Sequence, residues 1–410
     1  MGELKIIDGG INAPKGFEAA GVEAEIKYKN RLDMAIIFSK KPCVAAATFT
    51  SNVVKAAPVM WDKELVETSP YVQAVIVNTG IANAATGKVG MGYCKDTAKS
   101  AAKLLNIPEN AVLVGSTGVI GAQLPMDRIE AGIEKLVKAK SSEKEDGTKA
   151  SKAIMTTDTV NKELALEVEI GGTTVTFGAM SKGSGMIHPN MCTMLGYVTT
   201  DAVISKELLT KILKEDVKDT YNMISVDGDT STNDTLIVMA NGAAGNPEIK
   251  EGTKECEIFT KALHFINETQ AKRLAGDGEG AQALIECKVV GADTKENARI
   301  LAKSVICSSL TKAAVYGHDA NWGRVVCALG YSGVKFDPEK MSLYLEAGDE
   351  SMLIYEDGAG LDYSEEEASK LLSEKEVRFL ADMKMGLEEA TAWGCDLTLD
   401  YVKINADYRS

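Results

Sequence analysis

The sequence predicts a mixed α/β (α+β) protein with mixed sheets and packed helices. Three observations carry this: apolar, β-rich runs that stop at Gly and Thr, amphipathic stretches of helical period, and no strict strand–helix–strand rhythm. With 410 residues, 45% of them hydrophobic and 25% charged, the chain can bury a substantial core in one large unit or two domains.

VQAVIVNTG (Val72–Gly80) and AVLVGSTG (Ala111–Gly118) read as strands, and CKDTAKSAAKLLN between them has helical spacing. DRIEAGIEKLVKAK reads as a helix capped by Asp127, followed by a charged linker, KSSEKEDGTK. ALEVEIGGTTVTFGAMS is a hairpin signal around Gly171–Gly172. Further on, SKELLTKILKEDVKDTYNMIS and KECEIFTKALHFINETQAKRLA are amphipathic helices, whereas DTLIVMA and ALIECKVVGA are strands. TKENARILAKSVICSSLTKAAVYG predicts one long helix, and the tail WGCDLTLDYVKINADYRS alternates like a strand. There is no sequence repeat and no low-complexity tract.

A net charge of −14 argues against nucleic acid as a partner and favours a small ligand. The opening MGELKIIDGGINAPKGF lacks a basic stretch followed by an apolar run, so no secretory leader is expected. No apolar segment approaches the ~20 residues of a membrane span. The eight cysteines are scattered singly and only three histidines exist, so no metal site is expected. Most of the cysteines read as small core residues in a reducing, cytoplasmic compartment.

Several loops carry candidate chemistry. GSTGVIG (Gly115–Gly121) leaves a strand, and the Thr117 hydroxyl with backbone N–H groups can face an oxyanion; a plain strand-to-loop turn fits as well. SKGSG (Ser181–Gly185) lacks phosphate-loop spacing, but Lys182 in so small and apolar a setting can meet a carboxylate. LAGDGEGAQ (Leu274–Gln282) has too few carboxylates for a calcium loop; it is a helix end or a carboxylate held for a substrate ammonium. None of His188, His264 and His318 lies in a nucleophile elbow, so an acyl-transfer enzyme here needs another base. A free α-amine is one such base. Cutting before Thr193 in GMIHPNMCTMLGYVTTDA would make nucleophile and base a single residue.

Taken in order, GSTGVIG, MTTDT, KGSGMIHPNMCTML, DGDTSTND, GDGEGA and DLTLDYVKINADYRS resemble the ornithine acetyltransferase family, the bifunctional glutamate N-acetyltransferases of arginine biosynthesis. Each motif is weak alone, but the ordered set spans essentially the whole chain. The resemblance implies an N-terminal-nucleophile-type self-processing acyltransferase fold, cleaved between Cys192 and Thr193. It implies an α chain of residues 1–192 and a β chain of 193–410, assembled as a heterotetramer. Thr193 is then the nucleophile, with Thr117 and Gly118 as oxyanion hole. Substrate contacts fall on Thr156, Lys182, Thr193, Glu279, Asn405 and Ser410; Thr156 is chosen over Thr157 on its spacing to Lys182. The substrates implied are N-acetylornithine and glutamate, with no cofactor; whether acetyl-CoA is also a donor is left open by the sequence. Cys192 and His188 stand where the family usually has Ala, and Ser410 where it often has Thr. A self-processing aminopeptidase or amidase of the same nucleophile class is the alternative. A non-catalytic amino-acid-binding protein is the rival from another class.

Overall fold

Strand pairing builds two mixed sheets, each inside its own compact unit. A computed structural model describes residues 4–188 and 194–406 of the chain. The first unit comprises Met1–Gly183, Asn190–Lys218 and Thr230–Gln270. The second comprises Ser184–Pro189, Asp219–Asp229 and Ala271–Ser410. Neither unit ends at residue 192; the expected division there is of covalent chains and falls outside the described residues.

Among the described residues the first sheet has nine strands: β1 (Lys5–Ile7), β2 (Phe17–Val22), β3 (Met34–Phe49), β4 (Val72–Asn78), β5 (Val112–Ser116), β6 (Lys162–Ile170), β7 (Thr173–Lys182), β8 (Leu195–Thr200) and β10 (Thr235–Ala240). The second has seven: β9 (Ile224–Ser225), β11 (Leu284–Ala292), β12 (Ser342–Ala347), β13 (Glu350–Glu356), β14 (Ala359–Gly360), β15 (Glu376–Asp382) and β16 (Glu388–Cys395).

In the first sheet the order is β1-β6-β7-β8-β10-β3-β4-β5, with β2 paired to β3. Parallel pairs β8–β10 and β4–β5 sit among antiparallel ones. The unbroken apolar run of β4 is buried at every position. Val75 and Val77 join one core with Ile37, Leu113 and Tyr197. Ala74 and Ile76 join another, where Ala98, Ala101, Ile129 and Ile133 pack from the helices Gly90–Leu105 and Met126–Ala139. A strand covered on both faces reads as continuous apolar sequence rather than as alternation. The β6–β7 hairpin turns at Gly171 and Gly172, both at positive φ, as the sequence predicted.

In the second sheet β11 lies between parallel β15 and antiparallel β16. The helix Lys295–Cys307 packs on β11 and β16 and buries Ala298, Leu301, Ala302, Val305 and Ile306.

Five local expectations need correction. The helix expected over SKELLTKILKEDVKDTYNMIS stops at Asp216, and its last two residues, Ile224–Ser225, pair as strand β9 instead. The charged linker KSSEKEDGTK is mostly the start of a helix, Lys144–Ala153, whose Gly147, Ala150 and Ala153 are buried while its charges face out. Asp127 is not the cap of its helix; it lies in the first turn of Met126–Ala139, after Pro125. The long C-terminal helix breaks at Ser308, whose side chain accepts from Thr311 N and starts a second helix, Ser309–Tyr316. The tail is a strand only to Cys395, and YVKIN belongs to the helix Leu399–Ala406. Thr398 Oγ1 accepts from Tyr401 N at 3.2 Å and begins that helix. Leu399 and Val402 are exposed, so the apparent alternation marked no buried strand face.

Among the described residues, no helix is long and apolar enough to cross a membrane, and no cluster of His, Cys, Asp and Glu could hold a metal ion.

Candidate active site

In the first unit, β5 ends at Ser116 and delivers Thr117 and Gly118 to a loop fixed from both sides. Thr117 N donates to Asn78 O at 3.1 Å and Val119 N to Gly80 O at 3.2 Å. Asn233 Nδ2 holds Ser116 O at 2.8 Å. The Thr117 N–H is therefore spent on the fold. Its hydroxyl and the Gly118 N–H, which has no acceptor among the described residues, remain as donors for a ligand oxygen. Gly118 has φ +128°, and a Cβ there would meet Gly80 C at 2.4 Å, so only glycine fits.

Lys182 is the last residue of β7 and is 8% exposed. Its Nζ donates to Thr117 Oγ1 at 3.4 Å, so the fold brings together two residues that lie far apart in sequence. Two buried acids share this neighbourhood. Burial raises the Asp158 carboxyl, but the charges of Lys182 and Lys162 outweigh it and hold the pKa at about 2. Burial pushes Asp234 well above the ordinary carboxylate range, although Ser231 and Lys182 oppose it. Lys182 thus faces one firmly ionised carboxylate and one biased toward its neutral form.

Thr156 lies on the turn after the helix Lys144–Ala153 and donates its N–H to Asp158 Oδ2 at 3.0 Å. Arg31 grips the same turn by its carbonyls, Met155 O at 2.7 Å and Thr156 O at 2.9 Å. A cavity of about 570 Å³ is lined by Arg31, Lys152, Thr156 and Asp158 among others. Thr156 lines this cavity, and Thr157 is not among its lining residues.

In the second unit, Glu279 follows the helix Lys254–Gly276 and is 6% exposed. Its Oε2 accepts from Asn405 Nδ2 at 2.7 Å, joining two further expected substrate contacts. Glu279 N donates to Ser184 O at 3.0 Å, and Ser184 Oγ to Asp277 O at 2.6 Å. A Cβ on Gly185 would lie 2.3 Å from Glu279 Oε2, so the carboxylate occupies the space a side chain would need. The loop thus presents a buried carboxylate bonded to Asn405.

The segment leading toward Thr193 is pinned by Asp227. This acid accepts Met186 N at 2.6 Å and Ile187 N at 2.8 Å, and receives the Tyr401 hydroxyl at 3.2 Å. Met186 takes a φ of +55°, unusual for a residue with a side chain, and the Asp227 bonds help to hold it there. His188 Nδ1 lies 3.0 Å from Ser225 Oγ, and burial lowers its pKa to about 4. Cys192, Thr193 and Ser410 lie outside the described residues.

Sequence reasoning singled out neither Asp158 nor Asp227. Asp158 sits inside the quoted MTTDT, four residues before Lys162, and Asp227 inside SVDGD. The only signal was an acid in a short polar motif, which reads equally well as a solvated turn.

A mixed α/β fold whose first unit brings together the Thr117 hydroxyl, the Gly118 N–H and the buried Lys182 has the parts of an acyl-transfer protein. The ArgJ family model matches residues 18–410. The chain is 50% identical over 398 residues to the arginine biosynthesis bifunctional protein ArgJ of Thermotoga neapolitana, covering 97% of this chain and 99% of that one. It is 52% identical over 409 residues to the protein of the same name from Symbiobacterium thermophilum, covering 99% and 100%. Among solved structures it is similar to the arginine biosynthesis bifunctional protein of Bacillus halodurans, with 43% identity, coverage of 51% of this chain and 97% of that one, and a TM-score of 0.49. It is also similar to the ornithine acetyltransferase of Mycobacterium tuberculosis complexed with ornithine, with 40% identity, coverage of 47% and 100%, and a TM-score of 0.43. The chain belongs to the ArgJ family.

Proposed function

We propose that this chain is an acyltransferase of arginine biosynthesis, moving acetyl from N2-acetyl-L-ornithine to L-glutamate. The observation that carries this is whole-length identity of about half to relatives named for arginine biosynthesis. The amidase alternative has no comparable support.

In the proposed cycle the Thr193 hydroxyl attacks the acetyl carbonyl, and its own α-amine takes the proton. The new oxygen–carbon bond forms, the amide carbon–nitrogen bond breaks, and ornithine leaves with that proton on its nitrogen. Thr117 Oγ1 and the Gly118 N–H stabilise the oxyanion. Glutamate then enters, its amine attacks the acetyl-threonine ester, and the hydroxyl is restored. Lys182 takes a substrate carboxylate and Thr156 a neighbouring polar group. Glu279 with Asn405 takes an ammonium group, and Ser410 completes the site.

Thr193 becomes an N-terminus by self-cleavage after Cys192, giving chains of roughly 20 and 23 kDa that assemble as a cytoplasmic heterotetramer. Acetyl-CoA is the candidate second donor, and the proposed cycle uses no cofactor.

The test is direct. Purified protein given N-acetylornithine and glutamate should release ornithine and N-acetylglutamate in equal amounts. Acetate in place of N-acetylglutamate would instead make the protein an amidase. A parallel reaction with acetyl-CoA and glutamate decides the second donor. Cys192→Ala should process normally, and a β chain starting at Cys192 in the wild type would put the nucleophile one residue earlier.

A further inference from the structure

The Asp158 side chain touches both the Thr156 turn and the end of β7. Its Oδ2 accepts Thr156 N at 3.0 Å, and its Oδ1 accepts Gly183 N at 2.7 Å, directly after Lys182. The same Oδ1 takes Lys162 Nζ at 2.7 Å, and both side chains of that ion pair are essentially inaccessible, at 0% and 1%. Arg31 fixes the carbonyls of the same turn.

A buried ion pair is a poor source of stability, because desolvating two charges costs about what their attraction returns. Here the pair accepts two backbone N–H groups from separate segments, so what it supplies is a fixed spacing. The carboxylate also adds a negative charge beside the Lys182 ammonium.

We infer that Asp158 is a positioning residue for substrate binding: it sets Thr156 and Lys182 at a fixed separation while Lys162 locks its own rotamer. Asp158 is itself not proposed to react. The inference rests on the proposed roles of Thr156 and Lys182, and it deepens that reading by naming what aligns them.

The test is a double-mutant cycle read by calorimetric ornithine binding and by KM. Asp158→Asn keeps the shape but turns an acceptor into a donor facing an N–H group. It should weaken ornithine binding and raise KM by about tenfold, with a smaller change in kcat. In a Thr156→Ala/Lys182→Met background the same substitution should cost no more than about twofold, because the residues it positions are gone. Asp158→Ser is run beside it, with circular dichroism reporting the fold. Equal losses in both backgrounds, unchanged binding in Asp158→Asn, or unfolding of both variants would each overturn the inference. A wild-type protein that neither transfers acetyl nor binds ornithine would instead overturn the proposed function.

Discussion

Lys182 and Asn405 are both candidate substrate contacts, yet they are held in opposite ways. Lys182 ends a buried strand, touches Thr117, and has Asp158 fixing the next peptide. Asn405 is exposed in the last turn of a short helix, fixed by Glu279 and by Tyr401 O at 3.1 Å. The first arrangement is over-determined by sheet and ion pair, which suits groups that must meet developing charge at fixed distance. The second depends on a helix with little burial, which suits contacts that adapt to more than one amino-acid substrate.

The largest effect should come from the rigid side. Lys182→Met should lower kcat/KM by on the order of 10²–10³, the range for loss of a preorganised charged contact. A loss below about fivefold would break the contrast. Next is Gly185→Ala, whose Cβ would have to displace the Glu279 carboxylate. It should cut kcat/KM roughly ten- to a hundredfold, in step with Glu279→Gln. If Gly185→Ala is silent while Glu279→Gln is not, the carboxylate works from another position. On the adaptable side, Asn405→Ala should raise KM by about tenfold and leave self-cleavage intact. Deleting Tyr408 to Ser410 should have a similar effect, and unchanged kinetics would remove both residues from the site.

The smallest effect is on stability. His188 has a folded pKa of about 4, below the ordinary histidine value of about 6.5. As pH falls from about 6.5 to about 4, the unfolded chain gains a proton that the folded chain refuses, so stability drops across that window. His188→Ala should reduce this loss, measured as the change in Tm between pH 7 and pH 4.5. An identical slope would show that the imidazole is protonated in the fold.

The same contrast governs what could be read from sequence. β4, β5, β10 and the Gly171–Gly172 hairpin were legible because burial and turn chemistry leave local marks. YVKIN was misread because its helix is exposed, so no burial stripe sets the period, and the deciding event is the Thr398 cap. KSSEKEDGTK hid a helix because small residues, not large apolar ones, face its neighbour. For the site, ordered motifs pointed to Thr117, Lys182, Glu279 and Asn405. The pairings themselves, Lys182 with Thr117 across 65 positions and Asn405 with Glu279 across 126, come only from the fold. Asp158 stayed hidden because its work is done on backbone N–H groups, which the sequence does not display.

The central claim is that acetyl passes through Thr193 of a cleaved chain. Mass spectrometry of the protein incubated with N-acetylornithine alone tests it most directly. The account predicts two chains, with one acetyl on the peptide that begins at Thr193, lost when glutamate is added. An uncleaved chain that transfers acetyl, or an acetyl group carried on any other residue, would contradict it.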